Sequence, residues 1–363
     1  MKDVILVINC GSSSIKFRVF ENNDSLDLLA NGRITGIGSN PVLSVKGLED
    51  EELPKSLPLA KAINRVIKWV QDHDDDWNLI AAGHRVVHGG NKFKEPVVID
   101  RNVVEQLSNF IPLAPLHMPY NLEAIEVLEE AYQNVKQVAC FDTAFHSNLE
   151  PLHYLYAIPH YYEEQGIRKY GFHGLSYEWI VNTLEEKNPE LLKGKVVAAH
   201  LGNGASLCAI NNGKSIDTTM GMTAIEGLPM GTRCGSIDPG VVLYMIRQMA
   251  LPADKVEKIL SKQSGLYALS EISNDVRQLR ESNDKKAQFA LDYFALKVAQ
   301  NIANLSVSLG GVDGIVFTGG IGENDALMRD AIMKHLTHLG KIETLVVEAN
   351  EERMIAKHVR KSL

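Results

Sequence analysis

VILVINCGSSSIKFRVF, residues 4–20, opens with a run of valine, isoleucine and leucine, turns through small polar residues, and continues in alternation. Residues 4–8 have the pattern of a strand buried on both faces. Residues 9–14 read as a tight turn and residues 15–20 as the returning strand. Small residues at the tip leave backbone N–H groups and hydroxyls able to face a phosphate, with Lys16 as a nearby point charge. A plain hairpin with a serine-rich turn looks the same. The theme returns roughly 190 residues later as VVAAHLGNGASLCAI, residues 196–210. The repetition predicts a duplicated α/β architecture with one phosphate-facing hairpin in each half.

Outward from these hairpins, residues 217–239 (DTTMGMTAIEGLPMGTRCGSIDP) contain four glycines and Pro229, which disfavour a continuous helix or strand. Structureless loops beyond about 12–15 residues are uncommon unless functional. Inside this one, Arg233 sits among Gly231, Thr232, Cys234 and Gly235. A guanidinium on such a backbone can hold an anion together with the N–H groups around it. The alternative is a surface arginine on an ordinary turn. Arg85 ends a strand just before Gly89-Gly90 and is a second anion candidate. The neighbouring His84-x3-His88 spacing lacks a third ligand and is not read as zinc. Residues 135–141 form a strand delivering Asp142 and Thr143 at its carboxyl end, where open α/β sheets place ligands. Residues 314–318 form another buried strand, followed by a glycine loop (GGIGEN, residues 319–324) and a helix, an arrangement that brings a nucleotide to backbone amides.

Helical spacing marks residues 58–72, 176–186, 240–250, 252–262 and 284–309, and residues 121–131 with Asn121 as N-cap. The acidic run 73–76 reads as a solvated loop. A change of composition over residues 150–174 marks a crossing between domains.

The chain has 363 residues, 45% hydrophobic and 23% charged, which predicts two soluble globular domains. A net charge of −8 leaves no basic surplus for nucleic acid. The four cysteines form no CxxC, which fits a reducing, cytoplasmic setting. No segment reaches the roughly 18 apolar residues that a membrane span needs.

Taken together, VINCGSSSIKF (7–17), HRVVHGG (84–90), LAPLH (113–117), FDTAFH (141–146), RKYGFHG (168–174), HLGNGAS (200–206), MGTRCGSIDP (230–239), GGIGEN (319–324) and NEE (350–352) resemble, in order, the motifs of the acetate kinase family. That family lies within the acetate/sugar kinase, Hsp70 and actin fold group. The resemblance implies two duplicated actin-like (ribonuclease H-like) domains with mixed sheets flanked by helices, and an ATP cleft between them. The domains would be residues 1–145 with 352–363, and residues 146–351, the second carrying the nucleotide loops and a homodimer interface. It implies transfer of the γ-phosphoryl group of ATP to acetate or propionate, with Mg²⁺ as cofactor and Mn²⁺ able to substitute.

By the same resemblance Asp142, Arg85, His173 and Arg233 are catalytic, and Asn9 and Glu351 help hold the metal. Lys16 lies near the phosphates. His200, Leu201, Gly202, Asn203 and Gly204, then Asp275, Val276 and Arg277, then Gly320, Ile321, Gly322, Glu323 and Asn324 line the nucleotide site. Val87, Leu116, Phe172 and Ala224 form the substrate pocket beside Arg85. Three departures stand out. Ala224 replaces the family's usual proline, residues 276–279 (VRQL) replace Phe-Arg-Asp-Ile, and the span between Asn324 and Asn350 is short, removing a peripheral hairpin. A sugar kinase of the same fold group would need a base and a polar pocket, against the apolar Val87, Leu116 and Phe172. An ATP-gated chaperone or regulator would need an appendage that the chain lacks.

Overall fold

Residues 4–7, apolar throughout, are fully buried in the middle of strand β1 (Lys2–Cys10). In the computed structural model, which describes residues 1–73 and 76–363, β1 pairs antiparallel with β2 (Ser14–Glu21). β3 (Leu28–Thr35), β4 (Val42–Val45) and β5 (Glu51–Glu52) extend this antiparallel meander. On the other side of β1, β6 (Trp77–Val86) runs parallel. The short edge strand β7 (Val97–Val98) lies antiparallel to β8 (Lys136–Phe141), itself parallel to β6. The order is β5-β4-β3-β2-β1-β6-β8-β7.

A second sheet contains β9 (Lys195–Leu201), β10 (Ala205–Asn211), β11 (Lys214–Thr218), β12 (Gly314–Thr318) and β13 (Glu343–Val346), in the order β11-β10-β9-β12-β13. Its directions are antiparallel across β11-β10-β9 and parallel across β9-β12-β13. The segment β3-β2-β1-β6-β8 of the first sheet has the same order and the same directions. The repeated hairpin of the sequence is thus the start of a repeated five-strand, actin-like core. The β10–β11 turn places Asn212 and Gly213 at positive φ (48° and 72°), as a two-residue hairpin turn requires.

The chain divides into two compact units, Met1–Phe145 with Asn350–Leu363, and His146–Ala349. In the first, the helix Leu59–Gln71 buries Ile63, Val66, Ile67 and Val70 in one cluster with Phe17 and Ile34. The C-terminal helix Glu351–Ser362 packs on β1, β6 and β8. Gly83 of β6 permits this approach, since a β-carbon there would lie 2.4 Å from Ile355 and 2.7 Å from Val359. In the second unit, Asp284 caps the long helix Lys285–Leu309, accepting from the Lys286 N–H.

Two local expectations change. The helix expected from Asn121 begins at Met118, with Pro119 in its first turn, so Asn121 lies inside it and is no N-cap. Glycine does not make a loop after β12, because Gly319–Asn324 is itself a short helix. Of the acidic run 73–76, Asp74 and Asp75 lie outside the described residues. Among the described residues, no helix is long and apolar enough to cross a membrane.

Candidate active site

In the first unit, the register of the hairpin pairs Asn9 with Lys16 across β1 and β2. Parallel pairing of β6 and β8 sets Arg85 beside Cys140 and Val86 beside Phe141, so the next residue, Asp142, emerges next to Arg85. Arg85 Nε and Nη2 donate to Asp142 Oδ1 and Oδ2 at 2.9 and 2.7 Å. A third carboxylate contact, Glu351 Oε2, lies 3.6 Å from Arg85 Nη1. Asp142 is buried, while a fifth of the Arg85 side chain remains exposed. Burial opposes the charge on Arg85, but Asp142 and Glu351 outweigh it and hold the guanidinium above its usual range. Burial also pushes the Asp142 carboxyl upward, against the pull of Arg85.

Val87 and the turn after it are held from behind. Asn121 Oδ1 accepts from the Val87 N–H at 3.0 Å, and Asn121 Nδ2 donates to the Cys10 carbonyl at 2.9 Å. One buried amide therefore ties the end of β1 to the turn after β6. His84 spends Nε2 on Gln137, and His88 Nδ1 accepts from the Gly90 N–H, so both histidines of the HxxxH spacing hold backbone and core. Leu116 is exposed in the turn before the Met118–Ala131 helix.

In the second unit the β9–β10 turn is the meeting point. Phe172 is buried, and His173 follows it in the left-handed region (φ 58°, ψ 22°) as N-cap of the helix Gly174–Lys187. That conformation costs a non-glycine residue about 1–3 kcal/mol and needs surroundings that enforce it. Ser206 Oγ holds His173 Nδ1 at 2.8 Å, Tyr177 bonds the same hydroxyl, and the His200 ring stacks on His173 with centroids 4.3 Å apart. A β-carbon at Gly204 would lie 3.3 Å from His173 Nε2 and 3.9 Å from Arg233 Nη1. His173, Arg233 and the turn thus converge on one spot.

The runs expected to line a nucleotide site lie near the same turn. The Gly231 N–H donates to the Asn203 carbonyl, and Asn274 Nδ2 donates to Asn203 Oδ1. Asp275 caps the helix Val276–Glu281, and Arg277, largely exposed, folds back onto Asp275. The Gly320 amide lies 3.9 Å from where a Gly202 β-carbon would stand. Glu323 turns inward, its Oε1 accepting from the Gly319 and Ala349 N–H groups at 2.9 Å each.

A family model described as the Acetokinase family matches residues 4–359. The chain belongs to the acetokinase family. It is a phosphotransferase with a carboxyl group as acceptor. An acetate kinase of Nitrobacter hamburgensis is 43% identical over 98% of this chain and 95% of its own length. Among solved structures, a propionate kinase from Francisella tularensis superposes with TM-score 0.92 at 33% identity, and Porphyromonas gingivalis acetate kinase with 0.89 at 32%, each covering 99% of both chains.

In this acetokinase chain the residues that hold the candidates in place leave little signal in the sequence. Asn121 was legible only as a helix cap, because its partners Cys10 and Val87 are distant in the chain. Ser206 and Tyr177, which grip His173, carry no motif of their own beyond the serine that closes HLGNGAS.

Proposed function

We propose that the chain transfers the γ-phosphoryl group of ATP reversibly to acetate, and also to propionate, giving ADP and the acyl phosphate. A short carboxylate is already ionised at neutral pH and needs no base to become a nucleophile. Catalysis then rests on in-line positioning and on cations and donors around the moving phosphoryl group. Arg85 and Arg233 hold the carboxylate and the phosphoryl group, and His173 donates from Nε2. Asp142 holds Arg85, which uses both of its oxygens. Val87, Leu116, Phe172 and Ala224 face the alkyl tail. Lys16 and the runs 200–204, 275–277 and 320–324 take the nucleotide.

Asn9 and Glu351 offer an amide and a carboxylate oxygen, the hard donors that Mg²⁺ takes one or two at a time alongside phosphate and water. The ion would neutralise charge on the phosphates, and Mn²⁺ suits the same ligands. The observation that carries the reading is the meeting of His173 Nε2 and Arg233 Nη1 at the Gly204 turn. Incubation with ATP, Mg²⁺, acetate and hydroxylamine tests it. Acetohydroxamate should accumulate, and propionohydroxamate when propionate replaces acetate; no hydroxamate from either acid would overturn it.

We also infer a homodimer. The helix Pro239–Arg247 buries none of its residues, although Val241, Leu243, Tyr244 and Ile246 are apolar and exposed. A second copy of the chain is the partner we assign to it. The compartment we assign is the cytoplasm.

A further inference from the structure

The loop of residues 219–238 carries Arg233 without a helix or strand of its own, so something must fix its shape. Tyr156, from outside the loop, does so at one atom. Its hydroxyl donates to Glu226 Oε2 at 2.6 Å and accepts from the Met222 N–H at 2.9 Å, closing both ends of residues 222–226. Inside that closed segment, the Ala224 carbonyl accepts from Arg233 Nη1 at 3.0 Å. The pair rests on Gly221, where a β-carbon would lie 1.6 Å from Glu226 Oε2 and 2.3 Å from the Tyr156 oxygen. The Gly221 carbonyl in turn accepts from the Tyr170 and Gly171 N–H groups, immediately before Phe172 and His173. Burial first, and Glu226 second, push the Tyr156 hydroxyl above its usual range, so it remains a donor.

We propose that Tyr156 and Glu226 are positioning residues for phosphoryl transfer, a latch that fixes the Ala224 carbonyl and through it the direction of the Arg233 guanidinium. The idea rests on the role assigned to Arg233 above. An Arg233 held by a floppy carbonyl would still be charged and present, but would lose the alignment on which in-line transfer depends.

The test is a double-mutant cycle read in kcat, with melting temperature and the KM for ATP as controls. Tyr156→Phe and Glu226→Ala should each lower kcat by about tenfold to a hundredfold, the worth of a charge-assisted hydrogen bond, and leave the KM for ATP unchanged. Glu226→Gln keeps an acceptor for Tyr156 and should recover most of the loss. Arg233→Ala alone should cost roughly 10³ or more. Adding Tyr156→Phe to Arg233→Ala should then cost nothing further. Wild-type kcat in both latch variants, or an undiminished loss in the Arg233→Ala background, would overturn the latch. An independent readout is modification of Arg233 by phenylglyoxal, followed by peptide mass spectrometry. It should quicken in Tyr156→Phe, and an unchanged rate would contradict the proposal even if the wild-type chain formed no acyl phosphate. That last result would count against the activity, not the latch.

Discussion

Asp142 spends both carboxylate oxygens on Arg85, at 2.9 and 2.7 Å, and this decides what each residue can do. Both oxygens of this carboxylate are committed to one guanidinium, and a guanidinium fixed at one edge presents its remaining donors in a set direction. Ala224 meets Arg233 through its backbone. Its carbonyl serves Arg233, a duty that proline could perform equally, so in the proposed pocket its methyl group is the part that would face the acceptor. A methyl in place of a ring would open room beside the alkyl tail in that proposed pocket, and one methylene is worth only about 10–200-fold in a pocket. Propionate should therefore be used within about tenfold of acetate, and butyrate less well. Ala224→Pro should restore a preference for acetate. Steady-state kcat/KM for the three acids on both proteins checks this; an unchanged ratio in the variant would refute it.

At the scale of elements, the β9–β10 turn gathers the site, and Gly204 leaves its centre open. Gly204 is not in the left-handed region, so alanine there adds no backbone strain, but its β-carbon would stand 3.3 Å from His173 Nε2 and press the ring aside. Gly204→Ala should lower kcat on the order of a hundredfold, the cost of an ångström-scale misplacement, with an unaltered melting temperature. Full activity in this variant would mean that the convergence lies outside the reaction. The same elements show what was legible in the sequence. Both hairpins were, because a buried strand leaves an apolar run and a tight turn leaves small residues, and both signals are local. The role of Asn121 was not, because an asparagine ahead of an amphipathic run signals a cap, while its real partners are the last residue of β1 and the first residue after β6. The inward turn of Glu323 onto Gly319 and Ala349 was hidden for the same reason. Glu226 stood out as a rare charge in its loop, but only the fold brings Tyr156 to it.

Across the molecule, among the described residues, three histidines are buried, and burial lowers His84, His88 and His146 to about 4. Unfolded, each would titrate near 6.5, so between about pH 4 and 6.5 the unfolded chain binds more protons than the native one. Stability thus rises with pH through that window and is lost as pH falls toward 4. Each histidine contributes a slope of up to about 1.4 kcal/mol per pH unit. His84, whose Nδ1 is buried without a hydrogen-bond partner, is the clearest single contributor. The melting temperature should drop from pH 7 to pH 5, and drop less in His84→Gln; parallel curves would exclude His84 as a source.

In the proposed reaction a carboxylate oxygen attacks phosphorus directly, aided by Arg85, Arg233 and His173. Acetate labelled with ¹⁸O in both carboxyl positions tests it in one measurement. The chain converts it with ATP to acetyl phosphate, and hydroxylamine then cleaves the product at the acyl carbon, leaving the bridging oxygen on phosphate. Mass spectrometry of the phosphate released by hydroxylamine should show one ¹⁸O per molecule. Unlabelled phosphate would mean that the acyl–phosphate bond was made by another route, and would contradict the account.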